Sequence, residues 1–319
     1  MRTLITGAGG FVGQWLCREI LERGWPVTGT MLGDVIPTSV LSLDERRGVR
    51  WMSVDVRKNE DIVRVLDESR PELIFHLAAV SFVPAAGADP GAALDINVGG
   101  VGRLMGELRK RLAAGTLDPV VLVVGSSEQY GRHDADEMPL SEQAEQRPMS
   151  VYAASKCAQE IVALEAWRTA GVRVVATRSF GHSGAGQPSN FLLPGLVQRA
   201  LALRNAWRRE LAIGNTSPIR DYLHVADVVR AYVALVERGE PGEVYNVASG
   251  EGVEVGVVAE RVLALTGVDA KLQQDPTLVR AVDLPVLVGD ASKLRAATGW
   301  SPTRTLNDIL GDLIRAASR

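Results

Sequence analysis

The sequence predicts an α/β fold: a doubly wound parallel sheet with a smaller, discontinuous C-terminal lobe. Three observations carry that expectation. Short apolar runs alternate with helical runs six times between residues 2 and 177, the rhythm of strand-helix-strand units. The first run turns into its helix through Gly7-Ala8-Gly9-Gly10-Phe11-Val12-Gly13. The fifth, residues 120–125, is apolar without alternation, as expected of a strand covered on both faces.

Taken in order, residues 2–6 form strand one and 14–23 the helix that follows. Glycines at 7, 10 and 13 suit a tight turn, close approach of backbone to a diphosphate and close helix packing. The unpaired N–H groups of the helix start would point at the anion. The spacing is Gly-x-x-Gly-x-x-Gly, not Gly-x-Gly-x-x-Gly, so the strand-turn-helix context gives the motif its weight. Strand two, 26–31, ends where a dinucleotide site reads the adenosine ribose, with an acid for NAD and an arginine for NADP. Thr30, Met31 and Leu32 are neither, and Asp34 comes late, so NAD(H) and NADP(H) both stay open. Strand three, 49–54, leads to Asp55, placed for an adenine edge. Helix 60–69, strand 73–76 and the small-residue loop Leu77-Ala78-Ala79 continue the alternation.

Asp89-Pro90 is an N-cap with a first-turn proline and opens a helix over 90–111. Gly99, Gly100, Gly102 and Gly106 weaken that helix and permit close contacts. Strand five runs into Ser126-Ser127-Glu128-Gln129-Tyr130-Gly131. Helix 151–167 is apolar almost all round, so sheet should cover one side and another element, a second subunit included, the other. Strand six is 172–177. Beyond Arg178 come a Gly/Pro/Asn-rich stretch over 181–194, helix 196–206, helix 225–237, strand 244–247 and a tail of short elements. The sheet domain is therefore expected over 1–178 and 222–248, and a substrate-binding lobe over 179–221 and 249–319.

Ligands of open α/β sheets bind outside the carboxyl ends of the strands. The turn with Gly7, Gly10, Phe11 and Val12, Asp55 and Val56, the Leu77-Ala78-Ala79 loop, Ser126 and Phe180 all lie at such ends, which marks a Rossmann-type cofactor crevice. Tyr152 and Lys156 stand four apart on a helix and share a face. A cation beside a phenol favours the phenolate and lowers a pKa near 10, so Tyr152 is the candidate acid/base.

Composition narrows the alternatives. At 319 residues, 46% apolar and 23% charged, the chain can bury a large core. A net charge of −3 and a pI near 5.9 give no global positive field for nucleic acid or an anionic membrane. The cluster Arg199, Arg204, Arg208 and Arg209 reads as a solvated face. Two cysteines, Cys17 and Cys157, both in helix interiors, predict no disulfide framework, no metal site and a reducing cytoplasm. No secretion-type leader and no stretch of 18 apolar residues is evident, so no membrane span is expected.

With Gly7-x-x-Gly10-x-x-Gly13, Ser126 and Tyr152-x-x-x-Lys156 in this order, the chain resembles the extended short-chain dehydrogenase/reductase family of NAD-dependent epimerases and dehydratases. Gly125-Ser-Ser-Glu-Gln-Tyr-Gly131, Arg147-Pro-Met-Ser-Val-Tyr152, Arg178-Ser-Phe-Gly-His-Ser-Gly-Ala-Gly-Gln187, Arg220-Asp221, Val244-Tyr-Asn-Val-Ala-Ser-Gly250 and Gly299-Trp-Ser-Pro302 look like its branch acting on GDP-mannose derivatives. That branch contains reductases of GDP-4-keto-6-deoxy-D-mannose and, beside them, 4,6-dehydratases. The resemblance implies Tyr152 as acid/base, Lys156 as its pKa modulator and a ribose ligand, and Ser126 as donor to the reacting oxygen. It implies NAD(H) or NADP(H) as hydride source, a GDP-sugar substrate and a homodimer packed through helices 90–111 and 151–167.

Glu128 stands where dehydratases keep the base for a C5 proton. Such reductases hold the same Ser-Ser-Glu, so Glu128, next to Ser127, is read first as orienting substrate. Arg280 and Asp283 match an Arg-Pro-x-Glu segment that contacts the guanosine diphosphate, with Ala281 and Asp283 as departures. Asn190 and Arg220 fall where relatives hold the diphosphate. Gly181 replaces an asparagine before His182, and His182 is given no proton chemistry. The expected reaction is reduction of a C4 ketone to GDP-D-rhamnose; the alternatives are a 4,6-dehydratase or epimerase and, remotely, a cofactor-binding protein without catalysis.

Overall fold

A computed structural model of the chain describes residues 1–35, 39–205, 209–279 and 283–318. Strand β1 (Thr3–Thr6) and helix α1 (Phe11–Glu22) are followed by β2 (Val27–Met31), α2 (Leu43–Gly48), β3 (Val49–Ser53), α3 (Asn59–Ser69) and β4 (Leu73–His76). Helices α4 (Val83–Ala88) and α5 (Pro90–Leu94) lead through a π-helical turn at Asp95–Gly99 into α6 (Gly100–Ala113), then β5 (Val120–Ser126), α7 (Val151–Ala170) and β6 (Val174–Ser179). The remainder runs β7 (Gly181–Ser183), α8 (Leu192–Ala202), β8 (Glu210–Ile213), β9 (Ile219–His224), α9 (Val225–Arg238) and β10 (Val244–Val247). It closes with β11 (Gly252–Glu254), α10 (Val255–Thr266), β12 (Lys271–Gln274), β13 (Val286–Leu287), α11 (Ser292–Thr298) and α12 (Leu306–Ala317).

Seven strands form one sheet in the order β10-β6-β5-β4-β1-β2-β3, and every pairing in it is parallel. The six alternating strands are all present, and the run at 244–247 adds the seventh at the edge. From β1 the chain winds outward through β2 and β3, then returns to β4 on the other side of β1. The gap between β1 and β4 is thus the topological switch point, where such sheets bind ligands.

Sterics explain the glycine turn at that point. Gly7 has φ +71°, and a Cβ there would lie 2.8 Å from the Ala78 backbone nitrogen at the end of β4. A Cβ on Gly13 would lie 2.4 Å from the Gly7 carbonyl oxygen, so α1 can pack this close only with glycine.

Several boundaries differ from expectation, three of them with a clear cause or consequence. The helix expected over 90–111 is broken into α5, the π turn and α6, with Gly99 and Gly100 at the second junction. Helix α8 starts at Leu192 rather than 196, because Pro194 falls in the first turn, where its missing N–H has no intrahelical partner to lose. Strand β6 ends at Ser179 rather than 177, its register against β5 pairing Ser179 with Ser126.

In the second lobe β9 pairs with β7, β11 and β13, and β8 with β12. Leu196, Val258, Val262, Ile309 and Leu310 from α8, α10 and α12 fill a core of their own. Leu284, Leu287, Leu294 and Trp300 instead join the core under α1 and α9. Cys17 and Cys157 are free and buried. Among the described residues, no helix is long and apolar enough to cross a membrane.

Helix α7 is fastened to the sheet by a buried cluster. Glu160 accepts from Arg178 Nε and Nη2 at 3.0 and 2.7 Å, from Gln129 at 2.9 Å and from Gln146 at 2.7 Å. Arg178 also donates to the Glu142 carbonyl at 3.0 Å and lies 4.9 Å over the Tyr130 ring. Both charged side chains are 6% exposed. Arg178→Met is expected to leave a buried carboxylate uncompensated and to lower unfolding free energy in urea by about 3–5 kcal/mol. A loss under about 1 kcal/mol would be that of an exposed pair and would contradict this account.

Candidate active site

A cleft of about 840 Å³ opens over the switch point, between the carboxyl ends of the strands and the second lobe. Its floor is the glycine turn, with Gly7, Gly10, Phe11 and Val12, and the loop Leu77-Ala78-Ala79. Ser126, Ser127, Glu128, Tyr152, Lys156 and Phe180 form the middle, and Asn215, Pro218, Arg220, Leu278 and Asp283 the far end.

The turn is suited to an anion. Gly10 caps α1 without a side-chain hydrogen bond, and no acid stands in the first turn, so backbone N–H groups are open to a ligand. A diphosphate of a nicotinamide dinucleotide fits this cradle, where any Cβ at Gly7 or Gly13 would collide with backbone.

The candidate reactive groups come from two elements. Ser126 ends β5, and its Oγ accepts from the Glu128 N–H at 3.2 Å while its own N–H donates to Gln129 Oε1 at 2.8 Å. Tyr152 lies in the first turn of α7, which Ser150 caps by accepting from Ala153 at 3.1 Å. The Ser126 side chain lies beside the Tyr152 phenol, close enough to act on its pKa. Lys156 Nζ donates to the Val124 carbonyl at 2.8 Å and to Gln159 Oε1 at 2.9 Å. Gln159 Nε2 donates to the same carbonyl at 2.9 Å. Gln159 was not singled out from sequence; its position three residues after Lys156, on the same side of the helix, was the available signal.

Electrostatics correct one expectation. Burial pushes the Tyr152 phenol up to about 12, the neighbouring Ser126 side chain opposes this, and the charge of Glu128 adds to it. The ammonium expected to lower it is drawn back onto β5, and burial brings Lys156 down to about 7. The phenol therefore rests protonated, poised to give a proton rather than to take one.

Other expected positions separate. Asp55 and Val56 do not line the cleft: the Asp55 carboxylate is forked by Arg57 at 2.7–3.2 Å, which with burial opposing holds its pKa down to about 2, and Val56 lies buried against the start of α6. Asn190 is exposed and also outside the lining, although Pro188 and Phe191 on either side belong to it. Arg220 Nη2 donates to Asp283 Oδ1 at 2.8 Å, and Asn215 donates to Asp283 Oδ2 at 3.3 Å, closing a polar cluster. Arg280 lies outside the described residues. His182 Nδ1 donates to the Phe180 carbonyl at 2.8 Å.

The Lys156 shift implies a stability slope. Between pH 7 and the unfolded value near 10.4 the unfolded chain holds the proton that the folded chain has lost, so stability rises with pH, by at most about 1.4 kcal/mol per unit. The raised Tyr152 acts oppositely, above pH 10. Lys156→Met is expected to flatten the rise over pH 7–10 in urea titrations; an unchanged slope refutes the buried-lysine account.

A family model described as GDP-mannose 4,6 dehydratase matches residues 4–313. GDP-6-deoxy-D-mannose reductase of Pseudomonas aeruginosa is 32% identical over 315 residues, covering 97% of this chain and 94% of that protein. The solved structure of RMD from Pseudomonas aeruginosa complexed with NADPH superposes with a TM-score of 0.84 at 27% identity, covering 99% of each chain. The UDP-glucose 4-epimerase of Thermus thermophilus in complex with NAD gives 0.87 at 26% identity, covering 100% of this chain and 99% of that one. The glycine turn, the Ser126-Tyr152-Lys156 constellation and these matches agree: the chain belongs to the GDP-mannose 4,6-dehydratase family, within the short-chain dehydrogenase/reductase enzymes that act on nucleotide sugars with NAD(P).

Proposed function

We propose that this enzyme reduces the C4 ketone of GDP-4-keto-6-deoxy-D-mannose to GDP-D-rhamnose. The observation that carries the reading is that Ser126, Tyr152 and Lys156 line the middle of one cleft, with burial favouring the protonated phenol and Lys156 one helical turn behind it. The Pseudomonas aeruginosa relative named as a GDP-6-deoxy-D-mannose reductase supports the substrate class.

Bound nicotinamide supplies the hydride. As charge builds on the C4 oxygen, Ser126 and Tyr152 donate hydrogen bonds to it, and Tyr152 then transfers its proton, forming the hydroxyl. Lys156, which donates to the Val124 carbonyl and Gln159, is assigned the contact with the cofactor ribose, and its charge would favour the phenolate left behind once it turns toward the cleft. Arg220 and Asp283 line the end where the nucleotide diphosphate and base would lie, and Arg280 is proposed from the sequence as a further contact.

A 4,6-dehydratase is the second reading, and Glu128 favours it. Its carboxylate lines the same cleft and its charge reaches the Tyr152 phenol, where a C5 base would sit. Two copies are proposed to pair through α6 and α7, whose outer face leaves Ile161 61% exposed. The unpaired Cys17 and Cys157 suit the cytoplasm.

Tyr152→Phe should lower kcat for the ketone by about 10²–10⁴ while leaving cofactor affinity intact, read by NMR of the product and by fluorescence titration. Full turnover in that variant refutes the mechanism, and no turnover in either form leaves a cofactor-binding protein. Glu128→Gln should cost the reductase less than the roughly 10²-fold expected of a lost general base. Ketone formation from GDP-mannose without added reductant would overturn the reductase reading in favour of the dehydratase. Ile161→Asp should convert a dimer to monomer in light scattering.

A further inference from the structure

We propose that this enzyme prefers NAD(H) to NADP(H), because the end of β2 presents to the adenosine ribose an apolar edge without a cation among the described residues. The inference rests on the glycine turn holding the dinucleotide. It goes beyond the proposed reaction, which either cofactor could serve, and the family neighbours include one solved with NADPH and one with NAD.

A dinucleotide whose diphosphate sits on the start of α1 places its adenosine ribose over the end of β2. Met31, Leu32 and Val35 line the cleft there, and Leu32 and Val35 are 76% and 89% exposed. The extra phosphate of NADP(H) carries about −1.5 to −2 charge and requires cationic or N–H donors once it leaves water. Residues 30–45 contain neither lysine nor arginine, and their charged side chains are Asp34, Asp44 and Glu45.

Nearby donors are already engaged. Arg18 on α1 donates to Glu45 at 2.6 and 3.1 Å and to the Val40 carbonyl at 2.7 Å. Arg57, beyond the neighbouring strand, is forked onto Asp55. The buried Gln14 amide donates to the Gly9 carbonyl and Ser39 Oγ and accepts from the Val40 N–H. A 2'-phosphate would meet the hydrocarbon of Met31, Leu32 and Val35 with no charged partner to replace its water, whereas a 2'-hydroxyl needs none.

The test is direct binding, with no sugar present. NADH and NADPH are titrated into the full chain, and energy transfer from tryptophan to the reduced nicotinamide gives each Kd. NADH is expected to bind tighter by about tenfold or more; equal affinity, or tighter NADPH, overturns the proposal. Leu32→Arg places a guanidinium at the edge and is expected to tighten NADPH by about fivefold or more while NADH changes by less than about twofold. NADPH binding unchanged in that variant overturns the assignment of this edge. A chain that favours NADH but makes no GDP-rhamnose fails the proposed reaction and keeps the preference, and one that binds neither cofactor overturns both.

Discussion

The Glu160 carboxylate is the fixed point on which the site depends. Tyr152, Lys156 and Glu160 occupy i, i+4 and i+8 of α7, one stripe with about 6 Å of rise between members. Because Glu160 takes donors from β6 and from two loop glutamines, it fixes both the rotation and the axial position of the helix. A helix fixed at Glu160 delivers Lys156 to the Val124 carbonyl and Tyr152 to Ser126 without further adjustment. Buried ion pairs contribute little net stability against well-packed apolar substitutes, but a one-turn slip here would strand a carboxylate and a guanidinium together. The pair therefore serves register, which is what a proton-transfer geometry needs.

Desolvation then acts in opposite directions on the two reactive groups. It disfavours the charged form of each, so the phenol keeps its proton and the ammonium holds its own less tightly. Both shifts suit a site that stores a proton for an oxygen whose charge appears only during reaction. Gln159 and Val124 give the ammonium acceptors that carry no full charge, so Lys156 is oriented without being neutralised.

Much of this was legible in the sequence, for identifiable reasons. Strands β1 to β6 showed as apolar runs because a sheet covered on both faces requires them, and the turn at Gly7 showed because no other residue fits its backbone contact with Ala78. Ser126, Tyr152 and Lys156 could be singled out because the chemistry restricts the residue types, and the fold brings all three to one cleft. What sequence could not give was competition between effects. The phenol was expected to fall because a cation lay four residues away, but a helical spacing does not show that the cation is pulled toward a strand carbonyl. Asp55 was expected at the adenine because it ends a strand, yet Arg57 two residues on takes its carboxylate. Pro194 looked like a break because its position within the first turn depends on where the helix begins.

The same reasoning bears on Glu128, the residue that separates the readings of the reaction. The turn that presents Ser126 is closed by the Glu128 N–H on one side and the Gln129 amide on the other, so backbone geometry demands some residue at 128 but no particular side chain. A carboxylate serving the fold would be expected to find a donor, as Glu160 does. Among the described residues the Glu128 carboxylate has no hydrogen-bond or ion-pair partner, and it faces the cleft half-buried beside a phenol that its charge disturbs. A charge placed so has an unfavourable effect on the site at rest. Its compensation must come from a ligand: a sugar hydroxyl that donates to it in a reductase, or a C5 proton that it removes in a dehydratase. In either proposed reaction Glu128 would serve the substrate rather than the scaffold, and the two reactions differ in what the sugar presents to a carboxylate that the fold already holds in place.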